Sequence, residues 1–495
     1  MSEKSLSAVA FSGLLWVTSS TALVTVGRLI NLVVLARLLM PEDFGVLAVG
    51  VVIVSLTQFL VQMGLPAALV QKDAVSQRDL NTVLTLSVAA ASAGVGVLCV
   101  AAPTLASLVG SPDVARVVPV LASTLVIQAL FDPAEAMLRR ELKFNALARV
   151  DVGSYVLGYF APSIGLALAG FGVWSLVAAY VGEKACRCLQ LLWIRGLVGR
   201  PGFSHLSVKQ LLRFGLGFTM ANFSNVAATR GDKAALGRGA DAAIVGEYDR
   251  AYQIMVLPAN VMDGIVARVL FPALARVKDN PDTLRTNYSR GLALTVAVML
   301  PVATLCALLS AEVIRVLLGD RWTASVAMFQ VLSGAMLFRC TYKLSDELSQ
   351  ACGAVYRRAW RQIIYAIAVI AGALVGSRWG GVGAATGVSL AIVFNFALMV
   401  DLTNRLTGLR WRDIAKAHWP GVQLAAIGAL PATAIATVGR VEDWPDIGVL
   451  ACSGSAAVLA IGVALLMRPT MLGPAGAWVM QLGRQAMQRS GGRVD

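Results

Sequence analysis

Apolar runs of about 20 residues recur from one end of this chain to the other, and no other feature limits its possible folds so strongly. Coiled as a helix at roughly 1.5 Å per residue, each run is long enough to cross the ~30 Å hydrocarbon core of a bilayer. There are about fourteen of them. The first six lie near 11–38, 44–63, 80–102, 115–137, 146–169 and 172–194. The next six lie near 211–236, 242–267, 288–309, 324–350, 359–377 and 381–404, and a last pair near 415–437 and 446–467. Only 14% of the 495 residues are charged, where soluble domains carry roughly 25%. An all-α polytopic membrane protein is the expected class. The first run passes Arg28 and reaches Leu39, too long for the apolar core of a cleaved signal, so an uncleaved first span is expected.

Orientation follows from the loops. Arg139, Arg140, Lys143 and Arg149 fall between spans 4 and 5, and Arg195, Arg200, Lys209 and Arg213 follow span 6. Arg357, Arg358 and Arg361 precede span 11, and Arg405, Arg410, Arg412 and Lys416 precede span 13. The alternate loops, such as Pro41-Glu42-Asp43, Gly170-Phe171-Gly172 and Glu442-Asp443-Trp444-Pro445-Asp446, are short and poor in Lys and Arg. Basic residues crowd the cytoplasmic side of membrane proteins, so both termini are expected there. The same rule accounts for the net charge of +14 without nucleic acid, for which no binding motif is present. The seven cysteines are scattered and the two histidines, His205 and His418, lie apart. Neither a metal site nor a cofactor is expected.

The chain also resembles itself. Arg37 with Gly45 eight residues on matches Arg238 with Gly246, an offset of 201. Leu108-Val109-Gly110-Ser111 matches Leu317-Leu318-Gly319-Asp320, and Gly172-Val173 matches Gly381-Val382, both at 209. An even number of spans per half makes this a parallel repeat about an axis along the membrane normal. The expected organisation is two six-helix lobes, 1–195 and 211–404, joined by a cytoplasmic linker at 196–210. Two appended spans at 405–467 and a basic tail at 468–495 follow. The linker and tail could each be a surface helix or a solvated segment.

Ionisable residues inside spans cost roughly 2.5–3.5 kcal/mol each on insertion scales, and they face partners or wet cavities. Span 1 carries Arg28 and, on the same face, Asn31. Span 7 carries Arg230, Asp232 and Lys233; span 8 carries Glu247, Asp249 and Arg250; span 10 carries Lys343, Asp346 and Glu347. Span 6 adds Glu183, Lys184 and Arg187. One reading is mutual neutralisation, with Lys343–Glu347 and Glu247–Arg250 as ion pairs that join helices. The other is a cationic chamber for an anionic head group, with Arg28, Asn31, Arg230, Lys233, Arg250 and Lys343 as ligands. On that reading Asp232, Glu247, Asp249, Asp346 and Glu347 are charge partners or coupling sites for a proton or sodium ion. No phosphate-binding loop GxxxxGK[ST] is present, so the driving force is not expected to be a nucleotide.

Local motifs add a resemblance. Ala36-Arg37-Leu38-Leu39-x-Pro41-Glu42-Asp43-Phe44-Gly45, Gly170-Phe171-Gly172-Val173-Trp174-Ser175-Leu176-Val177, Leu257-Pro258 and Phe271-Pro272-Ala273-Leu274 resemble Wzx-type polysaccharide flippases. These are the polysaccharide branch of the multidrug/oligosaccharidyl-lipid/polysaccharide exporter superfamily. The resemblance implies fourteen helices, with a V-shaped chamber lined by spans 1, 2, 7 and 8. The implied substrate is an undecaprenyl-diphosphate-linked oligosaccharide, carried from the cytoplasmic to the periplasmic leaflet of a bacterial inner membrane by alternating access. In lipid II flippases the last two helices form a groove for the lipid tail, which spans 13 and 14 could do here. The chain departs from the pattern at Gly231-Asp232-Lys233-Ala234-Ala235-Leu236, where relatives more often read Asp-x-x-Leu-Ile-Gly. A non-enzymatic transporter is implied, monomeric, in contact with membrane lipid and with a polysaccharide polymerase as partner. An ion-coupled drug antiporter of the same superfamily is the alternative, disfavoured by the excess of Arg and Lys in spans 1 and 7. A membrane glycosyltransferase would need longer loops.

Overall fold

The computed structural model describes residues 3–72, 74–205, 207–208, 230–265 and 280–468, with 274, 277 and 471. Every element among them is helical. Nine stretches of these residues are long and apolar enough to cross a bilayer, one of them, Tyr356–Thr407, comprising two helices. Each expected span has its helix except the seventh, of which only residues 230–239 lie within the described part. The chain is a multi-pass membrane protein.

The described residues pack as two units, Met1–Asp249 and Arg250–Asp495. In the first, α1 (Glu3–Leu38) is followed by α2 (Pro41–Gln62). Pro41 suits the first turn of a helix because its missing N–H would have no partner there. The Asp43 carboxylate accepts from the Met40 amide at 3.0 Å and closes that end. Met63 and Gly64 then turn left-handed, with φ of 47° and 65°, and the chain restarts as the short α3 (Leu65–Gln71). α4 (Gln77–Val109) begins on a capping box in which Ser76 and Asp79 exchange bonds of 2.9 and 3.2 Å. α5 (Pro112–Arg140) packs along α4. Span 5 is α6 (Phe144–Gly153), a π-helical segment Ser154–Phe160 and α7 (Ala161–Leu168). α8 (Val173–Arg195) closes the group.

The segment after α8 is no helix over residues 196–204. It is held against the start of α4, where the amides of Arg200, Gly202 and Ser204 donate to Asn81, Thr85 and Thr82. The unit ends with α9 (residues 230–239) and the first part of α10 (Ala242–Ile265).

The second unit holds α11 (Pro281–Leu308), the short α12 (Ser310–Leu318), α13 (Thr323–Ala351), α14 (Val355–Gly376), α15 (Gly380–Thr407), α16 (Trp411–Val441) and α17 (Asp446–Met467). Gly110 and Gly319, matched in the sequence repeat, end α4 and α12 with φ of 71° and 95°. α14 and α15 touch backbone to backbone through Gly372-x-x-x-Gly376 and Gly383-x-x-x-Gly387. A Cβ on Gly376 would stand 2.2 Å from the Gly383 carbonyl oxygen. Small residues allow such approach in lipid, where dispersion contacts rather than water exclusion hold helices together.

Candidate functional site

Polar groups of the first unit gather where α1, α2, α8 and α9 present theirs. Arg28 of α1 has its side chain 65% exposed and meets Glu183 of α8 only at 3.8 Å. Its guanidinium stands 5.9 Å from the centre of the Tyr155 ring. Asn31, one turn on, is buried and donates to Ser163 at 2.7 Å, so it does not share an exposed surface with Arg28. Arg230 of α9 donates to Ser55 of α2 and makes no ion pair among the described residues. Tyr180 and Glu183 lie one turn apart on α8. The hydroxyl of Tyr180 bonds Ser55 and lies in the fields of both Arg230 and Glu183. Arg28 thus meets α8 at Glu183, and Arg230 meets α2 at Ser55, which Tyr180 of α8 also bonds.

The neighbouring charges are otherwise engaged. Lys233 forms an ion pair with Asp249, whose side chain is 4% exposed. Asp232 is buried and accepts from the Tyr248 hydroxyl at 2.7 Å and the Lys233 amide at 2.9 Å. Glu247 is half-buried. Deeper in the unit, Arg187 of α8 bridges Glu135 of α5 at 3.0 Å and Asp151 of α6 at 2.5 Å. Of the span-6 charges, Arg187 therefore ties helices together.

In the second unit Arg250 is buried. Asp346 accepts from Nε and Nη2 of Arg358, the latter at 2.9 Å, a partner from the next helix, not Lys343 on its own. Lys343 is half-buried with its ammonium 5.8 Å from the Tyr342 ring centre, and Glu347 is half-buried. Sequence reasoning missed Arg339, buried one turn before Lys343. Arg339 donates to the Tyr252 hydroxyl at 3.1 Å and lies over that ring at 5.8 Å. The i, i+4 spacing of two cations in one apolar span was the available signal.

Chemically, arginines with no close carboxylate suit an anion that both guanidinium forks can grip.

Comparison with known proteins agrees in every direction. The profile of the family described as "Polysaccharide biosynthesis protein" matches residues 34–327. The lipopolysaccharide biosynthesis protein WzxC of Escherichia coli (strain K12) is 26% identical over 398 residues, covering 78% of this chain and 79% of that protein. The succinoglycan biosynthesis transport protein ExoT of Rhizobium meliloti (strain 1021) is 26% identical over 356 residues, covering 71% and 72%. Among solved structures, the lipid II flippase MurJ in an inward closed conformation superposes with a TM-score of 0.74 at 12% identity, covering 93% of this chain and all (100%) of that one. An inward-facing multidrug resistance transporter of the MATE family, within the MOP superfamily, superposes at 0.61 with 16% identity, covering 79% and 96%. With a MOP-type helical fold and a family profile matched over more than half its length, this chain belongs to the polysaccharide biosynthesis protein family.

Proposed function

We propose that this chain carries an undecaprenyl-diphosphate-linked oligosaccharide from the cytoplasmic to the periplasmic leaflet of a bacterial inner membrane by alternating access. The observation that carries the reading is the state of Arg28 and Arg230: both lie in spans, Arg28 reaches Glu183 of α8 only at 3.8 Å, and Arg230 bonds Ser55 of α2 with no carboxylate partner among the described residues. A cation in a span is costly, and leaving two without tight partners makes sense if an anion completes them. A diphosphate fits guanidinium geometry, and its polyprenyl tail stays in lipid while the head crosses. Names of relatives such as WzxC and ExoT point the same way.

Arg28 and Arg230 are the primary head-group ligands on this reading. Within the second unit, Arg250, Lys343 and Arg339 are further cations inside spans. Lys233 is held by Asp249, and Asn31 serves packing. Asp232, Asp249 and Asp346 are all satisfied by protein donors, which disfavours the drug antiporter, a transporter that needs acids open to cationic ligands. Both termini lie in the cytoplasm, the protein acts as a monomer feeding a polymerase, and an ion gradient, the membrane potential or substrate concentration drives the cycle.

Arg28→Ala, Arg230→Ala and Arg250→Ala variants test this in cells. Each is expected to insert at normal levels, to lose most polymer export, and to accumulate lipid-linked repeat units. Normal export from both Arg28→Ala and Arg230→Ala would refute the head-group assignment.

A further inference from the structure

Asp132 of α5 belongs to none of the groups described above. It is 7% exposed, eight residues from the helix end at Arg140. Gln62, the last residue of α2, donates its amide Nε2 to Asp132 Oδ2 at 2.8 Å. Gln128, one turn earlier on α5, also bonds the carboxyl.

The charged groups around it are accounted for. Glu135 on α5 is taken by Arg187 at 3.0 Å and by Arg139 at 2.7 Å, and Arg187 also holds Asp151 of α6. On α8, Lys184 acts on Asp132 through space and also feels Glu183 and Glu135, yet it makes no ion pair among the described residues. Asp79 of α4, the other long neighbour of α5, is paired with Lys72 at 2.7 Å. Asp132 is thus a buried carboxyl with amide donors and, among the described residues, no cation within ion-pairing distance. Buried charge without a partner is strongly disfavoured, and such a group sheds its charge where it can. A sodium ion would need several oxygen ligands, whereas Gln62 presents its nitrogen.

Position gives the group a use. Gln62 ends the helix that carries Ser55, the partner of Arg230, and further out Gly45, packed against α10. Directly after Gln62 the chain reverses through Met63 and Gly64, both with positive φ. Directly after Asp132 comes Pro133, inside α5; it lacks an amide hydrogen and clashes with the preceding turn, so the helix is easily bent there. The charge-assisted bond from Gln62 weakens when the carboxylate takes a proton.

We propose that Asp132 is a proton-binding site that sets the grip of α5 on the end of α2, and so links proton uptake to movement of the helix bearing Ser55, the partner of Arg230. The proton's use rests on the transport reading; its binding does not.

The test uses full-length protein in lipid nanodiscs. The carboxylic-acid C=O stretch is followed by infrared difference spectroscopy during a pH titration, in sodium-free and sodium-containing buffer. In a cysteine-free background, spin labels at Leu60 and Leu189 report the separation of α2 and α8. Wild type is expected to show a buried carboxyl band that titrates identically in both buffers, with a label distance that changes over the same pH range. Asp132→Asn is expected to lose the band and the pH-linked distance change; Gln62→Leu, which keeps the acid, is expected to displace the midpoint. A band that persists in Asp132→Asn, a midpoint unmoved in Gln62→Leu, or a signal that follows sodium at fixed pH would overturn the proposal. Loss of export in the arginine variants bears on the substrate alone, and a titrating band on Asp132 alone.

Discussion

Gly45 and Gly246 lie back to back. A Cβ on Gly246 would stand 2.9 Å from the Gly45 amide nitrogen and 1.9 Å from the Pro41 carbonyl oxygen; one on Gly45 would stand 1.7 Å from the carbonyl oxygen of Ala242. These two residues are partners in the sequence repeat, each eight positions after Arg37 or Arg238. The first turns of α2 and α10 therefore meet with no side chain between them.

Adding volume at this contact should force α2 and α10 apart. Overpacking typically costs about 1–3 kcal/mol, and here the obstacle is backbone that cannot rotate away. In a cysteine-free background, Leu236→Cys, at a position now fully buried, is expected to react with a membrane-impermeant thiol reagent only after Gly45→Val or Gly246→Val is added. Equal labelling with and without the valine would show that the contact does not shield Leu236.

The Lys233–Asp249 pair joins α9 to α10. Removing one member of a buried pair typically costs about 3–5 kcal/mol because the other charge is stranded, whereas replacing both with apolar residues is often neutral. Asp249→Ala should therefore lower the unfolding midpoint sharply, and the double variant Lys233→Met/Asp249→Leu should recover most of the loss. If the double variant is as unstable as the sum of its singles, the two residues are not coupled.

Gly376 and Gly383 set the separation of α14 and α15. Gly376→Leu is expected to destabilise the second unit by about 1–3 kcal/mol or more, measured as a drop in thermal midpoint in detergent. At the open neighbour Gly380, φ is +74° but nothing lies within 4 Å. Alanine there should cost less, through backbone strain alone. Comparable losses at both sites would rule out helix contact as the cause.

One loop pair makes stability depend on pH. Glu141 lies outside the spans, where hydrogen bonds from Arg195 and then Lys143 lower its carboxyl pKa to about 2. A carboxyl depressed in the folded state stabilises at pH values above its unfolded pKa, and that contribution fades as pH falls towards the folded value. Wild type should thus lose a small increment relative to Glu141→Gln between about pH 5 and pH 2, with the two converging in acid. Parallel thermal-midpoint curves across that range would count against the loop pair.

Span number, helical class and loop charge bias were legible from residues alone, because crossing a bilayer demands long apolar helices and sorts Lys and Arg by side. Even the repeat glycines could be picked out by spacing. Partnership could not. Arg28 has no acid within a turn on its own helix and finds Glu183 on α8; Asp346 lies near Lys343 in sequence yet binds Arg358. Asn31 shares a helical face with Arg28 but turns to Ser163. Asp132, one of two acids in its span, could not be distinguished by spacing; only the contact with Gln62 marks it out. Hydropathy and charge are properties of one segment against its solvent, so sequence alone determined which segments cross the membrane. An ion pair or hydrogen bond depends on angstrom distances between helices far apart in the chain. Only tertiary packing decided which charges pair closely, as Lys233 does with Asp249, and which, like Arg28, meet a carboxylate only at 3.8 Å.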